Sequence, residues 1–559
     1  MKKRTMSRLI GLALTASMAA GLAGCGSDAG SSNAGQSSET AKESSKTVEN
    51  SSASSEAQSA PEEITYPLDT DDKLSIWSSN QMVPNSAYAD YTESPFHIKL
   101  AENTGVEVEW MFPALGEDPT QAYNLLLTED ELPNMIFNYV SSAEADQLID
   151  DGVVYDLTEY LPIYAPDYWE TINRPEYASV LQSVTTEKGR YYGVEQFVEE
   201  DYCITYVGPV VRKDWLDECG LDAPVTMEDW EEVLVAFKEK YNATFGFFTA
   251  RLNNIGIGSG TGAYGTFKAN LYVDDNDRIQ LAQAQPEWKE YMEYLHKWYE
   301  MGLIDPDFIT TDDAAMRTKV LNNEIGISFT AMSQLTAWVN DAEAQGTGAE
   351  WVGIEYPRTA EGEPTCMIQT RESYSQGWCA MVTTSCSEEE LITALKWLNY
   401  GYTEEGYMYW NFGTEGETYN LDDNGVAQWT DLVLNDADGV SQAVTKYTGT
   451  YGTGITMQAA QLVRLRNSEA SVNAVYKWIE NTEGPSHCVP LIALTDDESM
   501  RYSDKMNAIA TYVSEMGLKY VTGEEDLAEF DKYVEELNSM GLQECLEIQQ
   551  AAYERYKAK

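Results

Sequence analysis

A chain of 559 residues with 36 Lys and Arg against 92 Asp and Glu carries a formal charge of −56. That balance excludes a nucleic-acid partner, because phosphates need basic surface, and the acidic residues are spread along the chain as a solvated surface. The apolar fraction of 43% is ample for folding, and the length implies two or more lobes.

Lys2, Lys3, Arg4 and Arg8 precede an apolar run from Leu9 to Leu22. The run is short for a bilayer span and fits a signal peptide over residues 1–24. It closes on Leu22-Ala23-Gly24-Cys25, a pattern that resembles the bacterial lipobox. Cleavage before Cys25 and lipidation of its thiol are expected. Cleavage removes four basic groups and no acidic one, leaving −60. Residues 26–60 hold twelve serines and too little apolar surface to bury. Residues 25–62 are therefore read as a lipidated cysteine and a flexible tether.

From about Thr65 strands alternate with helices. Lys73–Trp77, Val106–Phe112 and Leu132–Val140 read as strands, with helices at His97–Thr104 and Tyr123–Leu127 between them. A helix with Leu148 follows. Ile204–Arg212 reads as a strand feeding a helix at Lys213–Cys219, with Gly220 as its cap. Thr226 and Asp229 form a near capping box before Trp230–Tyr241. Pro286–Met301 carries Trp288, Tyr291, Met292, Leu295, Trp298 and Tyr299 at helical spacing, a core stripe. Gly326–Phe329 and Trp378–Thr384 are strands, Glu388–Tyr400 is an amphipathic helix, and Thr456–Lys559 is mostly helical. This order predicts an α/β fold with a largely parallel sheet.

The eight cysteines include no CxxC, and only three histidines are present, so no zinc or redox site is expected. One disulfide is open as a possibility, with no pairing indicated. Asp274-Asp275-Asn276-Asp277 and Asp422-Asp423-Asn424-Gly425 lack the distal Glu of a calcium loop and read as polar turns. No cofactor is expected.

Five segments, in order, carry a family resemblance: Gly152-Val-Val-Tyr-Asp-Leu-Thr-Glu-Tyr-Leu-Pro-Ile-Tyr-Ala-Pro166; Lys188-Gly-Arg-Tyr-Tyr-Gly-Val194; Val211–Leu221 with Pro224-Val-Thr226; Gly302-Leu-Ile-Asp-Pro-Asp-Phe308; and Glu404-Glu-Gly406 with Gly413-Thr-Glu-Gly416. Together the chain resembles the extracellular solute-binding lipoproteins of ABC importers, family 1 type, in the large Firmicutes branch of the carbohydrate-uptake class. The resemblance implies a two-lobed, periplasmic-binding-protein-like α/β fold with discontinuous lobes joined by crossing strands. Lobe one would hold 65–200 plus 370–455, and lobe two 205–365 plus 456–559. The crossings would fall near Gln196–Ile204 and Met367–Ser375. It implies a non-enzymatic monomer, anchored by lipid on the outer face of the cell membrane. Such a protein captures a small solute, foremost an oligosaccharide, by hinge closure and delivers it to the permease subunits.

Ligands of open α/β sheets meet the loops at the carboxyl ends of strands. That rule singles out Trp77, Ser79 and Asn80, then Asn138, Tyr139 and Ser141. It adds Gln196 and Phe197 at the first crossing, Phe248 and Arg251, Thr330 and Met332, and Trp378 beside the second crossing. Aromatic faces cover sugar C–H surfaces, and amides, hydroxyls and Arg satisfy sugar hydroxyls. The rivals are a lipid-anchored glycoside hydrolase and a glycan-binding adhesin or sensor without transport. A hydrolase needs two carboxylates at a set separation, which 92 acidic residues cannot single out, and no GxSxG or HExxH is present.

Overall fold

A computed structural model describes residues 63–558, apart from 80–90, 115–116, 187, 200–204, 247–268, 359–373, 438, 450–454, 481–483, 491 and 493. The described residues belong to one compact unit, 59–559. Cys25, Asn80, Phe248 and Arg251 lie outside them, as do parts of both expected crossings.

Two sheets organise the chain. The first takes β1 (Lys73–Ser78), β2 (Glu107–Met111), β3 (Met135–Tyr139) and β4 (Val194–Val198). The second takes β5 (Val207–Arg212) and β6 (Thr244–Gly246). A hairpin, β7 (Leu271–Val273) with β8 (Ile279–Leu281), follows. The chain returns to the second sheet with β9 (Ile325–Ala331) and β10 (Trp351–Gly353), and then to the first with β11 (Ser375–Val382). A second hairpin, β12 (Tyr419–Leu421) with β13 (Ala427–Trp429), precedes β14 (Met457–Gln458), which completes the first sheet. The strand orders are β14-β4-β11-β3-β1-β2 and β10-β5-β9-β6.

The sequence pattern accounts for these positions. β2 alternates Glu107-Val108-Glu109-Trp110-Met111 and leaves alternate residues exposed, as an edge strand does. β9 is buried along all seven residues, which suits a strand covered on both faces. The expected helix at Pro286 runs Pro286–Glu300 and buries Trp288, Tyr291, Met292, Leu295 and Trp298. The Thr226–Asp229 capping box forms at Met227–Tyr241, and Ser387 and Glu390 make another before Glu388–Tyr400. Asp274 and Asp422 each fold a turn, accepting from backbone N–H groups two and four residues on.

β11 runs antiparallel to β3 and β4, while β1, β2, β3, β4 and β14 point one way. Their carboxyl ends therefore share an edge with the start of β11. In the second sheet the carboxyl ends of β6, β9 and β10 share an edge with the start of β5. The strands from which the described chain leaves one sheet for the other, β4, β10 and β14, all end on these two edges. β4 leads to β5, β10 leads to β11, and β14 leads through the helix Ala460–Arg466 to the helix Glu469–Trp478. The third passage is the one the expected lobe bounds imply at 455/456, and it falls later, after β14. Helix Glu469–Trp478 lies on β5 and β10, and Trp478 Nε1 donates to Pro209 O at 2.9 Å.

Separate apolar cores fill the two halves. One gathers β5, β6 and β9 with the helices Met227–Tyr241, Pro286–Glu300, Asp496–Thr522 and Leu542–Lys557. The other packs β1, β3, β4 and β11 against residues 157–184 and Glu388–Tyr400. Trp410 is buried in the latter core, and Trp215 in the former. Cys219, Cys379, Cys386, Cys488 and Cys545 are free thiols.

His97, on the helix Pro95–Thr104, is enclosed by rings. Its imidazole lies 4.1 Å from Tyr91, 5.0 Å from Phe96 and 5.2 Å from Trp110, centroid to centroid. Part of the residue reaches solvent, but Nε2 is buried without a hydrogen-bond partner among the described residues. Burial pushes the imidazole down to about 3. The folded state therefore resists a proton that the unfolded chain accepts below about 6.5. Stability is fully present above pH 6.5 and is lost as pH falls from there toward 3. Between pH 6.5 and 5, the native chain loses ~2 kcal/mol more than His97→Gln at ~1.4 kcal/mol per pH unit. Urea denaturation at the two pH values measures that difference.

Candidate functional site: the facing sheet edges

The residues expected to bind fall into three groups. Ser79, Asn138, Tyr139, Ser141, Gln196 and Trp378 gather at the shared edge of the first sheet. Ser79 N donates to Phe137 O at 3.4 Å, and its hydroxyl donates to Asn138 Oδ1, fixing that amide at the end of β3. Ser141 caps the helix Ser142–Asp150, accepting from Glu144 N. Trp378 stands opposite both Tyr139 and Gln196 in the ladder, just after a register shift. The indole is half-buried, 5.8 Å from the Phe137 ring, and Gln196 is buried.

Tyr139 is 51% exposed. It lies against Gly377, where a Cβ would stand 2.3 Å from Tyr139 Cε2 and where φ is +73°. Both facts demand glycine: the left-handed backbone and the ring each exclude a side chain.

Thr330 and Met332 stand at the edge of the second sheet. Thr330 is buried opposite Gly208, and Met332 N donates to Tyr206 O at 2.8 Å. Trp77 and Phe197 form the third group, and together with Met332 they turn their side chains into the cores. Trp77 packs on Tyr123 at 5.9 Å. Phe197 is sealed between Tyr177 at 5.0 Å and Tyr402 at 6.0 Å. Met332 belongs to the second-sheet core. A strand end offers one face to the crevice and one to the core, and these three point to the core.

Two residues of this region were missed. Tyr206 immediately precedes β5 and is 45% exposed at the second edge, beside Met332. Glu195 is 1% exposed inside β4. Its carboxylate accepts from Ser183 Oγ, Ser375 Oγ and, at 2.9 Å, Gly377 N. It therefore ties a helix, the start of β11 and the Tyr139 platform together. The field there is negative. Burial first, then the carboxylates of Glu195 and Glu144, push the neighbouring Cys379 thiol well above its usual range. Burial also lifts the Glu144 carboxyl.

Two α/β lobes, joined by crossing segments, carry hydroxyls, amides and open aromatic rings at the ends of their sheets. The chain belongs to the bacterial extracellular solute-binding proteins, whose family model matches residues 87–408. Lipoprotein LipO of Bacillus subtilis is 25% identical over 350 residues, 59% of this chain and 65% of that protein. The fructooligosaccharide ABC transporter substrate-binding protein FusA of Streptococcus pneumoniae is 22% identical over 535 residues, 89% of this chain and 93% of that one. In structure, the alginate-binding protein AlgQ2 superposes with a TM-score of 0.67 at 20% identity, covering 88% of this chain and all of that one.

Proposed function

We propose that this protein is the substrate-binding component of an ABC transporter for oligosaccharides, tethered by a lipid on Cys25 to the outer face of the cell membrane. Lobe one would comprise about 65–200 and 370–466 and lobe two about 205–365 and 467–559, the boundary moved on from the expected 455/456 because β14 pairs with β4 in the first sheet. An exposed ring at the end of each sheet, Tyr139 on the first and Tyr206 on the second, carries this reading. Rings on opposing lobes can cover the two apolar faces of a sugar only when the lobes close, so the ligand favours the closed form. Ser79, Asn138, Ser141, Gln196, Thr330 and Trp378 complete the rim, and Asn80, Phe248 and Arg251 remain candidates from the sequence. Sugar ligands named for relatives support the ligand class, and the Leu22–Cys25 pattern supports the anchor.

A thermal-shift screen of the mature chain against a glycan panel tests the assignment. A true ligand at 100 times its Kd stabilises by about 2.7 kcal/mol, and the glycan is recovered intact. Cleavage products, or a panel without any shift, would contradict it.

A further inference from the structure

The last turn of the helix Leu542–Lys557 is braced within the second lobe. Arg555 donates to Glu498 through both terminal nitrogens, at 2.9 and 2.6 Å. That two-pronged bond holds a planar guanidinium in one orientation. Lys557 Nζ lies 3.2 Å from Asp277 Oδ2, and Tyr553 OH donates to Asp277 Oδ1 at 3.4 Å. One turn earlier, Gln550 accepts from Ile279 N at 2.8 Å and donates to Asp277 O at 3.0 Å. The polar turn between β7 and β8 is therefore a seat for the C-terminal helix.

Tyr556, between these anchors, meets the first lobe. Its carbonyl O accepts from Gln182 Nε2 at 3.2 Å. Tyr139, Gln182 and Ser183 of the first lobe line one cavity at this junction together with Tyr556 of the second. The first-lobe side is held as well. Gln182 stands on the helix Ala178–Ser183, where Ser183 Oγ donates to Glu195 and Ser183 O accepts from Tyr192 OH at 2.8 Å.

Neither Gln182 nor Tyr556 lies on a passage between the lobes. Chain connectivity therefore does not force the contact, and swinging the lobes apart breaks it. A bond made only in the approached arrangement favours that arrangement over an open one. The braces serve the same end. A turn already fixed within its own lobe loses little freedom on meeting Gln182, whereas a frayed helix end would offset the bond with ordering entropy.

We infer that the last turn of the C-terminal helix is a latch, which holds the lobes near one another through Gln182 and so raises the fraction of the chain ready to bind. This rests on the hinged-capture reading above. The apparent Kd rises as the binding-competent fraction falls, and losing one hydrogen bond moves such an equilibrium about fivefold.

Small-angle scattering of the ligand-free mature chain, paired with calorimetric titration of the glycan that gives the largest melting shift, tests the latch. Gln182→Ala removes the donor, and Arg555→Ala releases a brace inside the second lobe. Both variants are expected to have a larger ligand-free radius of gyration than the native chain. Glycan binding weakens about fivefold in Gln182→Ala, and less in Arg555→Ala. Should one variant fail to fold, the other, in the opposite lobe, carries the same test. A native ligand-free radius in both overturns the latch, and weaker binding by Gln182→Ala would then mean that its amide touches the ligand. Native affinity in both overturns it too. A panel in which no glycan binds counts against the oligosaccharide reading instead, and the ligand-free radii still decide the latch.

Discussion

Replacing Gly208 by valine unfolds the second lobe's seat for helix Glu469–Trp478, at a cost of about 3 kcal/mol or more. A Cβ at Gly208 would lie 2.4 Å from Cγ and Cδ2 of Trp478 and 2.5 Å from Cδ1. That indole cannot step aside. It is fully buried, and its N–H is committed to Pro209 O on the same strand. Gly208 also pairs with Thr330 in β9, so the strand cannot retreat without breaking the ladder of the binding edge. A double-mutant cycle isolates the cause. Gly208→Ala and Trp478→Ala each destabilise, but together they cost less than their sum, because the Cγ, Cδ1 and Cδ2 atoms that meet the methyl are gone from the double variant. Additive losses in denaturant midpoint would show that the clash is not the mechanism. Since helix Glu469–Trp478 completes one of the three passages between lobes, glycan affinity falls along with stability.

Glu195→Ala gives the second large effect, a loss of about 3–5 kcal/mol. Removing the carboxylate deletes three hydrogen bonds, from the hydroxyls of half-buried Ser183 and buried Ser375 and from the N–H of Gly377, while Ser183 Oγ keeps Val180 O and Gly377 N keeps Ser375 Oγ. Each lost bond to the carboxylate costs ~1 kcal/mol or more. Glu195→Gln keeps the shape and an acceptor oxygen, and loses about half as much. The platform moves in both variants, because the same bond that holds Gly377 sets the ring of Tyr139 against it. Glycan affinity therefore falls in step with stability across the pair. A Glu195→Ala protein as stable as the native one by urea titration would mean that the network does not organise this edge.

Local pattern made much of this fold legible. The strand read at Lys73–Trp77 is β1 at Lys73–Ser78, and the alternation from Val106 is β2 at Glu107–Met111. The stripe of Trp288, Tyr291, Met292, Leu295 and Trp298 faces a core because 3.6-residue spacing admits no other face. Strand-end logic also led to Tyr139, Trp378 and Gln196, which the ladder brings together. What pattern could not supply was which side of a strand end faces the crevice. Phe197 and Gln196 are neighbours in β4, and only the structure shows that Phe197 is sealed between Tyr177 and Tyr402 while Gln196 stands opposite Trp378 in the ladder. Short and long-range features were invisible for different reasons. β14 has two residues, too few for any period. Tyr556 meets Gln182 across 374 positions, a proximity no local signal encodes. Glu195 is one of 92 acidic residues, and only its burial sets it apart.

Small-angle X-ray scattering of the mature chain, with and without the glycan that gives the largest melting shift, reaches the core of the account. Two lobes that clamp a sugar between Tyr139 and Tyr206 contract as they close, so the radius of gyration decreases at saturating glycan and recovers when the glycan is dialysed away. A scattering profile that stays the same at saturation would contradict hinged capture, whatever the affinity.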